Sequence, residues 1–260
     1  LEEGSISVLN YANRIVQLPL GLFVIAISQA VLPQLSRAKE PEEFAATISE
    51  AMRFALFIVL PATVGLVMIS DPFVHLIFVR GAFGDRAWHA TSWALRLSIL
   101  GLPGMACSTV VMRGLYALSM PREAFITTLF SVGSTAALSF LLMFPMEYGG
   151  LALAPSIAFS LSGFLGLYYL RGQIGHPLNI VSRSWMGKST VALVSMALVL
   201  YFYSRILPYN PTSPLTLRVV WSIGALSAGL AVYTISTVAL KFDEWQWIKG
   251  AVSRKAVSPK

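Results

Sequence analysis

The chain has 260 residues, 56% of them hydrophobic and only 12% charged, with a formal net charge of +7. A soluble globular domain carries about 25% charged residues, so this chain has too little polar surface to cover a particle that faces water. The composition excludes an ordinary soluble domain and predicts an all-α integral membrane protein.

Uncharged runs separate the charged segments and are long enough to form membrane helices. A hydrocarbon core of ~30 Å needs roughly 17–25 helical residues, and four of the runs reach 22 or 23 residues. The shorter runs are completed by uncharged flanks or by Arg and Lys side chains that extend towards the interface. We therefore predict about seven transmembrane helices, centred on Ile15–Ser36, Phe54–Ser70, Leu97–Met112, Ala124–Met146, Tyr148–Leu170, Ser189–Ser204 and Val219–Leu240.

Proline falls inside four of the predicted helices, at Pro19, Pro61, Pro103 and Pro155. The first of these helices is expected from about Ser5 to Leu35. Membrane helices tolerate proline because neighbouring groups re-satisfy the freed carbonyls, and broken helices are typical of transporters. We expect bends at these prolines, although proline is also generally more frequent in membrane helices.

The connections between the predicted helices differ in length and charge. Residues 71–90 form a longer outer connection, and its apolar stretch Phe73–Phe78 is too short to span a membrane. We expect this stretch to lie at the membrane interface, with Asp71 as a candidate cap. The last two helices are predicted to form a hairpin through the proline-rich turn Pro208–Pro214.

The placement of the basic residues predicts the orientation. If the C-terminus is cytoplasmic, 13 of the 19 basic residues fall inside, as the positive-inside rule requires. The N-terminus is then periplasmic. This distribution along the chain argues against a nucleic-acid partner.

Arg14 is the strongest candidate for a binding residue. It lies roughly 14 Å along the first predicted helix at 1.5 Å per residue, and a cation at the centre of a membrane helix costs at least ~2.5–3.5 kcal/mol. A guanidinium in a water-filled cavity would bind an anionic headgroup bidentately. The alternative is an interfacial anchor. We group Arg14 with Tyr11, Asn13 and Gln17 as the candidate substrate-binding residues.

The remaining polar residues indicate neither catalysis nor a metal site. Arg96 and Arg113 bracket the third helix and are expected to extend towards the interfaces. The three histidines show no metal-ligand spacing, and Cys107 is the only cysteine. No nucleophile, paired-carboxylate or nucleotide-binding motif is present in the sequence. We therefore expect no enzyme and no cofactor, and any transport would be driven by an ion gradient or the membrane potential.

Several segments resemble the MurJ/MviN family of lipid II flippases, in the family's order and spacing. Gly4–Arg37 resembles a signature helix of the family, with Tyr11-Ala12, Arg14 and Leu18-Pro19-Leu20-Gly21 as its main matches. Three shorter elements follow, namely Arg80-Gly81-Ala82-Phe83, Arg113-Gly114-Leu115-Tyr116-Ala117-Leu118 and Gly150-Leu151-Ala152-Leu153-Ala154.

The resemblance implies a two-lobe fold, with two six-helix lobes followed by an extra helix hairpin. Residues 1–170 would form five helices of an incomplete second lobe, 171–188 a basic cytoplasmic linker, 189–240 the C-terminal hairpin and 241–260 a basic cytoplasmic tail. The implied location is the bacterial inner membrane. Since the chain starts at Leu1 rather than Met, we expect a segment of a longer protein whose N-terminal lobe is missing.

The resemblance also implies the function and further site residues. The substrate would be lipid II, the undecaprenyl-diphosphate-linked peptidoglycan precursor, flipped by alternating access among membrane lipids, and Arg14 corresponds to the family's second-lobe cavity arginine. Where some members carry Asn associated with sodium, this chain has Thr135 and Ser139, which puts sodium coupling in doubt. The hairpin would line a groove for the lipid tail, with Gly224, Ala225, Ala228 and Gly229 as its small-residue face.

Three alternatives stay open at this point. The small-residue face is equally compatible with ordinary close packing of two helices. The transported molecule could be another lipid-linked oligosaccharide or amphiphile of the same superfamily. A non-transporting membrane scaffold is the alternative from a different class, although it would need neither a deep arginine nor interrupted helices.

Overall fold

A computed structural model describes residues 4–38, 40–79 and 83–245. The side chains of residues 5 and 23–30 are outside the description. The regular structure of the described residues is helical. Residues 80–82 of the family-like RGAF element and residues 246–260 of the predicted tail lie outside the described residues. The helical elements are α1 (Ser5–Pro19), a π-helical segment (Leu20–Ile25), α2 (Ala26–Arg37), α3 (Pro41–Met68), α4 (Ser70–Phe78), α5 (Asp85–Ile99), α6 (Leu102–Ala117), α7 (Pro121–Met146), α8 (Tyr148–Ile174), α9 (Arg183–Ile206) and α10 (Leu215–Ala239).

The all-α membrane fold is confirmed, but the count of seven spans is not. Five described helices, namely α3, α7, α8, α9 and α10, are long and apolar enough to cross a membrane, and the pair α5 and α6 makes a sixth if it is one bent span. The first predicted helix is present from Ser5 to Arg37, but the π-helical segment divides it into α1 and α2 of 15 and 12 residues. Neither piece alone spans a ~30 Å core.

The helix is interrupted at or next to two of the four prolines. The π-helical segment begins directly after Pro19, and α5 and α6 meet at 42° just before Pro103. At Pro61 and Pro155 the helices α3 and α8 continue without interruption, and a bend there stays a prediction. In α3 the carbonyl of Phe57, which Pro61 leaves without its usual partner, accepts a hydrogen bond from α10.

Small residues bring α6 and α8 together along their length. A Cβ at Gly101 would collide with the backbone of Ser156, so the chain can bend there only because residue 101 has no side chain. Ser156 Oγ donates to the carbonyls of Leu97 and Ser98 at 3.1 and 3.0 Å. The N–H of Gly101 pairs with the Ser98 carbonyl at 3.2 Å, so the carbonyl of Leu97, its partner in a continuing helix, would otherwise be free. The bend is therefore capped by a side chain of α8.

The predicted interfacial stretch is the short helix α4, which packs against α5. Arg96 pairs with Asp71 and donates from Nε to Ser70 Oγ at 2.6 Å, so Arg96 connects α5 to α4 instead of extending to an interface. The capping role expected for Asp71 is wrong, because the N-cap of α4 is Ile69 and no side chain caps it. The Asp71 carboxylate is bound to Arg96.

One cluster of buried apolar residues lies among α1 to α8, and the hairpin α9–α10 forms a second apolar cluster with the middle of α3. Phe57 lies at its centre, with ring centroids 5.6 Å from Tyr233 and 5.5 Å from Phe242. At the turn of the hairpin, His75 Nδ1 accepts from the Tyr209 hydroxyl at 2.8 Å and from Arg218 at 3.2 Å. The hairpin is therefore attached to the other helices both in the middle of α3 and at α4.

Candidate functional site

Helix α1 has one apolar buried face and one polar exposed face. Asn10, Asn13, Arg14 and Gln17 are exposed, and their spacing of three and four residues places them on one side of the helix. The opposite side consists of buried residues, namely Val8, Ala12, Ile15, Val16 and Pro19. Hydrogen-bonding groups in a row would be costly in contact with lipid tails, so this face belongs against water, protein or a polar ligand.

Arg14 lies at the centre of that polar face. It is the tenth residue of α1, roughly 14 Å along the helix, and within the described part of the chain no carboxylate pairs with it. Asn13 and Gln17 flank it on the same side. The guanidinium offers five N–H donors in a planar fork, and the two amides add donors of their own. The three side chains together can bind the oxygens of a phosphate or diphosphate.

Apolar side chains continue the exposed face beyond the polar residues. Leu18 and Leu22 are 54% and 68% exposed and follow Arg14 at intervals of four, so the three lie in one row along the helix. Leu22 belongs to the π-helical segment, a type of irregularity that is frequent at functional sites. The row passes from a cation to exposed aliphatic groups, which matches an amphiphile with a polar head and an apolar tail.

Tyr11 is not brought together with the other three candidate residues. Its ring packs against Phe78 and Phe83, with centroid distances of 4.7 and 5.4 Å. The ring therefore attaches α1 to the end of α4 and to the chain just before α5. A direct role of Tyr11 in binding stays a prediction.

The small-residue face of the hairpin lies largely between α9 and α10. Ala225 is fully buried and Gly229 is buried, and a Cβ at Gly229 would lie 3.2 Å from Leu200 and Met196 of α9. Gly224 faces the hydroxyl of Tyr203, and Ala228 is half-buried. These contacts are those of close helix packing, and the role of this face in binding a lipid tail stays a prediction.

The positions related to a sodium site carry hydroxyls, one of which is already used within its own helix. Thr135 Oγ1 donates to the carbonyl of Ser131 at 2.8 Å, while Ser139 is half-buried on the same helix. Among the described residues, no group of three or more His, Cys, Asp or Glu side chains is placed to hold a metal ion. Weak or absent sodium coupling stays a prediction.

Sequence reasoning missed the contacts at the α4 end of the hairpin. His75 had no expected role, yet it contacts Tyr209 and Arg218, which are 134 and 143 residues away in the chain. Burial and the positive charge of Arg218 lower the pKa of His75, while Asp85 opposes the shift. No local pattern could have indicated this, because the partners come from separate elements.

Comparisons with known proteins agree with this architecture. The family model described as "Lipid II flippase MurJ" matches residues 1–220. A solved structure titled "Lipid II flippase MurJ, inward closed conformation" superposes with a TM-score of 0.75 at 27% identity, covering 91% of this chain and 47% of that one.

Curated relatives give the same result. The chain is 30% identical to a "Probable lipid II flippase MurJ" of Rhizobium meliloti over 98% of this chain and 49% of that protein. It is 32% identical to the "Lipid II flippase MurJ" of Thermosipho africanus over 62% of this chain and 33% of that protein. The chain thus spans about half the length of the first of these relatives. Since the family model covers most of its residues, the chain belongs to the MurJ family of lipid II flippases.

Proposed function

We propose that this chain is part of a flippase that moves lipid II across the bacterial inner membrane by alternating access. The observation that carries the proposal is the exposed polar face of α1, with Arg14 at its centre, in a chain whose other long helices are apolar. Membership of the MurJ family supports the same reading. Transport of this kind moves a molecule without covalent chemistry, and the proposal therefore assigns no catalytic residue.

In the proposed mechanism Arg14 binds the diphosphate of the substrate. A bidentate guanidinium–phosphate contact is charge-assisted and therefore stronger than a neutral hydrogen bond. Asn13 and Gln17 donate to further phosphate or sugar oxygens on the same side of α1. The polyprenyl tail leaves the site along Leu18 and Leu22 and stays in contact with lipid, since its length and apolar character keep it out of a polar cavity. Part of the tail path is assigned to the hairpin, at the face that includes Gly224 and Ala228.

Alternating access needs two lobes around one central site, and this chain supplies most of one lobe. The proposed partner is the N-terminal half of the same protein, which lies opposite the polar face of α1. Residues 1–170 form the lobe, 171–188 the cytoplasmic linker, 189–240 the hairpin and 241–260 the cytoplasmic tail, with the N-terminus of this chain periplasmic. We propose the membrane potential or an ion gradient as the driving force, without a cofactor.

Complementation of a flippase-depleted strain with the whole protein tests the proposal. Arg14→Ala should abolish growth at normal protein levels, and Arg14→Lys should restore it only in part because a point charge loses the bidentate geometry. The matched control is Arg205→Ala, which removes an exposed arginine whose hydrogen-bond and cation–π contacts among the described residues are with Tyr201 of its own helix, and it should grow normally. Full growth with Arg14→Ala would show that Arg14 is an interfacial anchor.

A further inference from the structure

A groove between α3, α6 and α8 lies apart from the polar face of α1. It encloses about 560 Å³, within the ~300–1,000 Å³ typical of ligand sites. The segment that joins α8 to α9 contributes Leu178, Ile180 and Val181 to its lining. None of the described lining residues belongs to α1, α9 or α10, so the groove is separate from both sites assigned above.

The walls of the groove are largely apolar, and part of them lies on the exposed surface of α8. Leu56 of α3, Cys107 of α6 and Leu167 of α8 line it. On α8 the lining residues Phe164 and Tyr168 are 70% and 73% exposed, and α8 is long and apolar enough to cross a membrane. An apolar groove at the exposed surface of a membrane-spanning helix is suited to acyl chains. The fitting occupant of the walls is therefore a hydrocarbon chain.

One end of the groove carries a positive charge. Arg171 lines the groove four residues after Leu167, on the same side of α8, and it forms no ion pair with another described residue. Residues 171–188 contain Arg171, Arg183 and Lys188 and no Asp or Glu. A cation at the end of an apolar groove complements a lipid with an anionic headgroup, as basic pockets between membrane helices do.

We propose that the groove between α3, α6 and α8 binds a phospholipid with an anionic headgroup. Its acyl chain lies along Leu56, Cys107 and Leu167, and its phosphate is held by the guanidinium of Arg171 through charge-assisted hydrogen bonds. The phospholipid is a resident of the second lobe and not the transported molecule. By contacting both α8 and the segment that follows it, the bound lipid would stabilise the connection between the lobe and the hairpin.

Photo-crosslinking on the whole protein in nanodiscs tests this site. Phosphatidylglycerol and phosphatidylcholine, each with a diazirine on one acyl chain, are compared, and labelled peptides are identified by mass spectrometry. The peptides that contain Cys107 and Leu167 should be labelled about fivefold more by phosphatidylglycerol, the factor expected for one cation near an anionic lipid. Arg171→Gln should remove that preference, and Leu167→Trp should block labelling by both lipids by filling the groove.

The matched control is Arg122→Gln, which removes an exposed arginine from the first turn of α7, a helix that packs against α8. This variant should keep the full preference for phosphatidylglycerol. Equal labelling by the two lipids, or an unchanged preference in Arg171→Gln, would overturn the proposal. It would also be overturned if unlabelled lipid II displaced the probe and excess phosphatidylglycerol did not. If Leu167→Trp does not fold, Arg171→Gln alone decides the outcome.

Discussion

The hydroxyl of Tyr233 donates a 2.7 Å hydrogen bond to the main-chain carbonyl of Phe57. In a regular helix that carbonyl pairs with the N–H of residue 61, but proline at this position has none. Tyr233 belongs to α10 and is only 5% exposed. The hairpin thus supplies the donor that α3 lacks, and the second apolar cluster surrounds the resulting hydrogen bond.

Replacement of Tyr233 by Phe should destabilise the protein through this carbonyl. The ring and its packing stay, while a buried acceptor loses its partner, which costs about 1–3 kcal/mol. Denaturant unfolding of the purified protein in detergent measures the loss. In a Pro61→Ala background the N–H of residue 61 is restored, so Tyr233→Phe should cost much less there. An equal cost in both backgrounds would contradict the role assigned to Pro61.

The stability of the attachment between α4 and the hairpin should depend on pH. Because burial and Arg218 lower the pKa of His75 in the folded protein, the unfolded chain binds a proton first, near its usual value of about 6.5. The contribution of His75 is therefore complete above that pH and decreases as the pH falls below it. Asp85 opposes the shift and Tyr209 stays uncharged in this range. Protonation also removes the acceptor at Nδ1 that Tyr209 and Arg218 use.

The melting temperature between pH 7.5 and pH 5 tests this dependence. The wild-type protein should lose more stability on acidification than His75→Gln, whose amide oxygen accepts hydrogen bonds but does not titrate. Tyr209→Phe serves as the control, because it removes one hydrogen bond and leaves the titrating group in place. Parallel pH profiles for the wild type and His75→Gln would show that His75 does not set the dependence.

A bulky substitution on the small-residue face of α10 distinguishes a role in helix packing from a role in binding the lipid tail. At Gly229 a leucine would meet Leu200 and Met196 of α9, where even a Cβ lies 3.2 Å away. We expect Gly229→Leu to lower the amount of folded protein, as measured by fluorescence-detected size exclusion. Leu230→Ala, at the neighbouring and 62% exposed position, is the matched control and should fold normally. Normal folding with lost complementation for Gly229→Leu would favour a groove wall instead.

The proposed orientation predicts which connections a membrane-impermeant maleimide can reach. In a Cys107→Ser background, Thr212→Cys in the turn between α9 and α10 should react in intact spheroplasts. Asn179→Cys, between α8 and α9, should react only after the membrane is permeabilised. Both positions are exposed, so exposure alone does not distinguish them. The reverse pattern would place the hairpin turn in the cytoplasm and invert the proposed topology.

The helices could be predicted from the sequence because a helix that contacts lipid needs a long apolar run. The runs around Ala124–Met146 and Tyr148–Leu170 match α7 and α8 closely. The polar row around Arg14 could also be found, since it depends only on the spacing within one helix. Charged or amide side chains at intervals of three and four stand out against an apolar background.

Contacts between distant elements could not be predicted in this way. Pro61 predicts a carbonyl without its helical partner, but the donor that this carbonyl finds is a hydroxyl 176 residues away from Phe57. Likewise, the sequence around Tyr11 gives no sign that its ring packs against Phe78 and Phe83. In both cases the decisive partner lies on another helix, and spacing within one segment carries no information about it.

The capped bend between α5 and α6 has a mechanical consequence. Straightening it would break both hydrogen bonds from Ser156 and separate Gly101 from the α8 backbone that it touches. The bend is therefore held in place and does not act as a hinge, so α5, α6 and α8 form a single rigid frame. Any rocking of this half of the protein must carry that frame as one piece, and the deformation falls on elements outside it, such as the π-helical segment that follows α1.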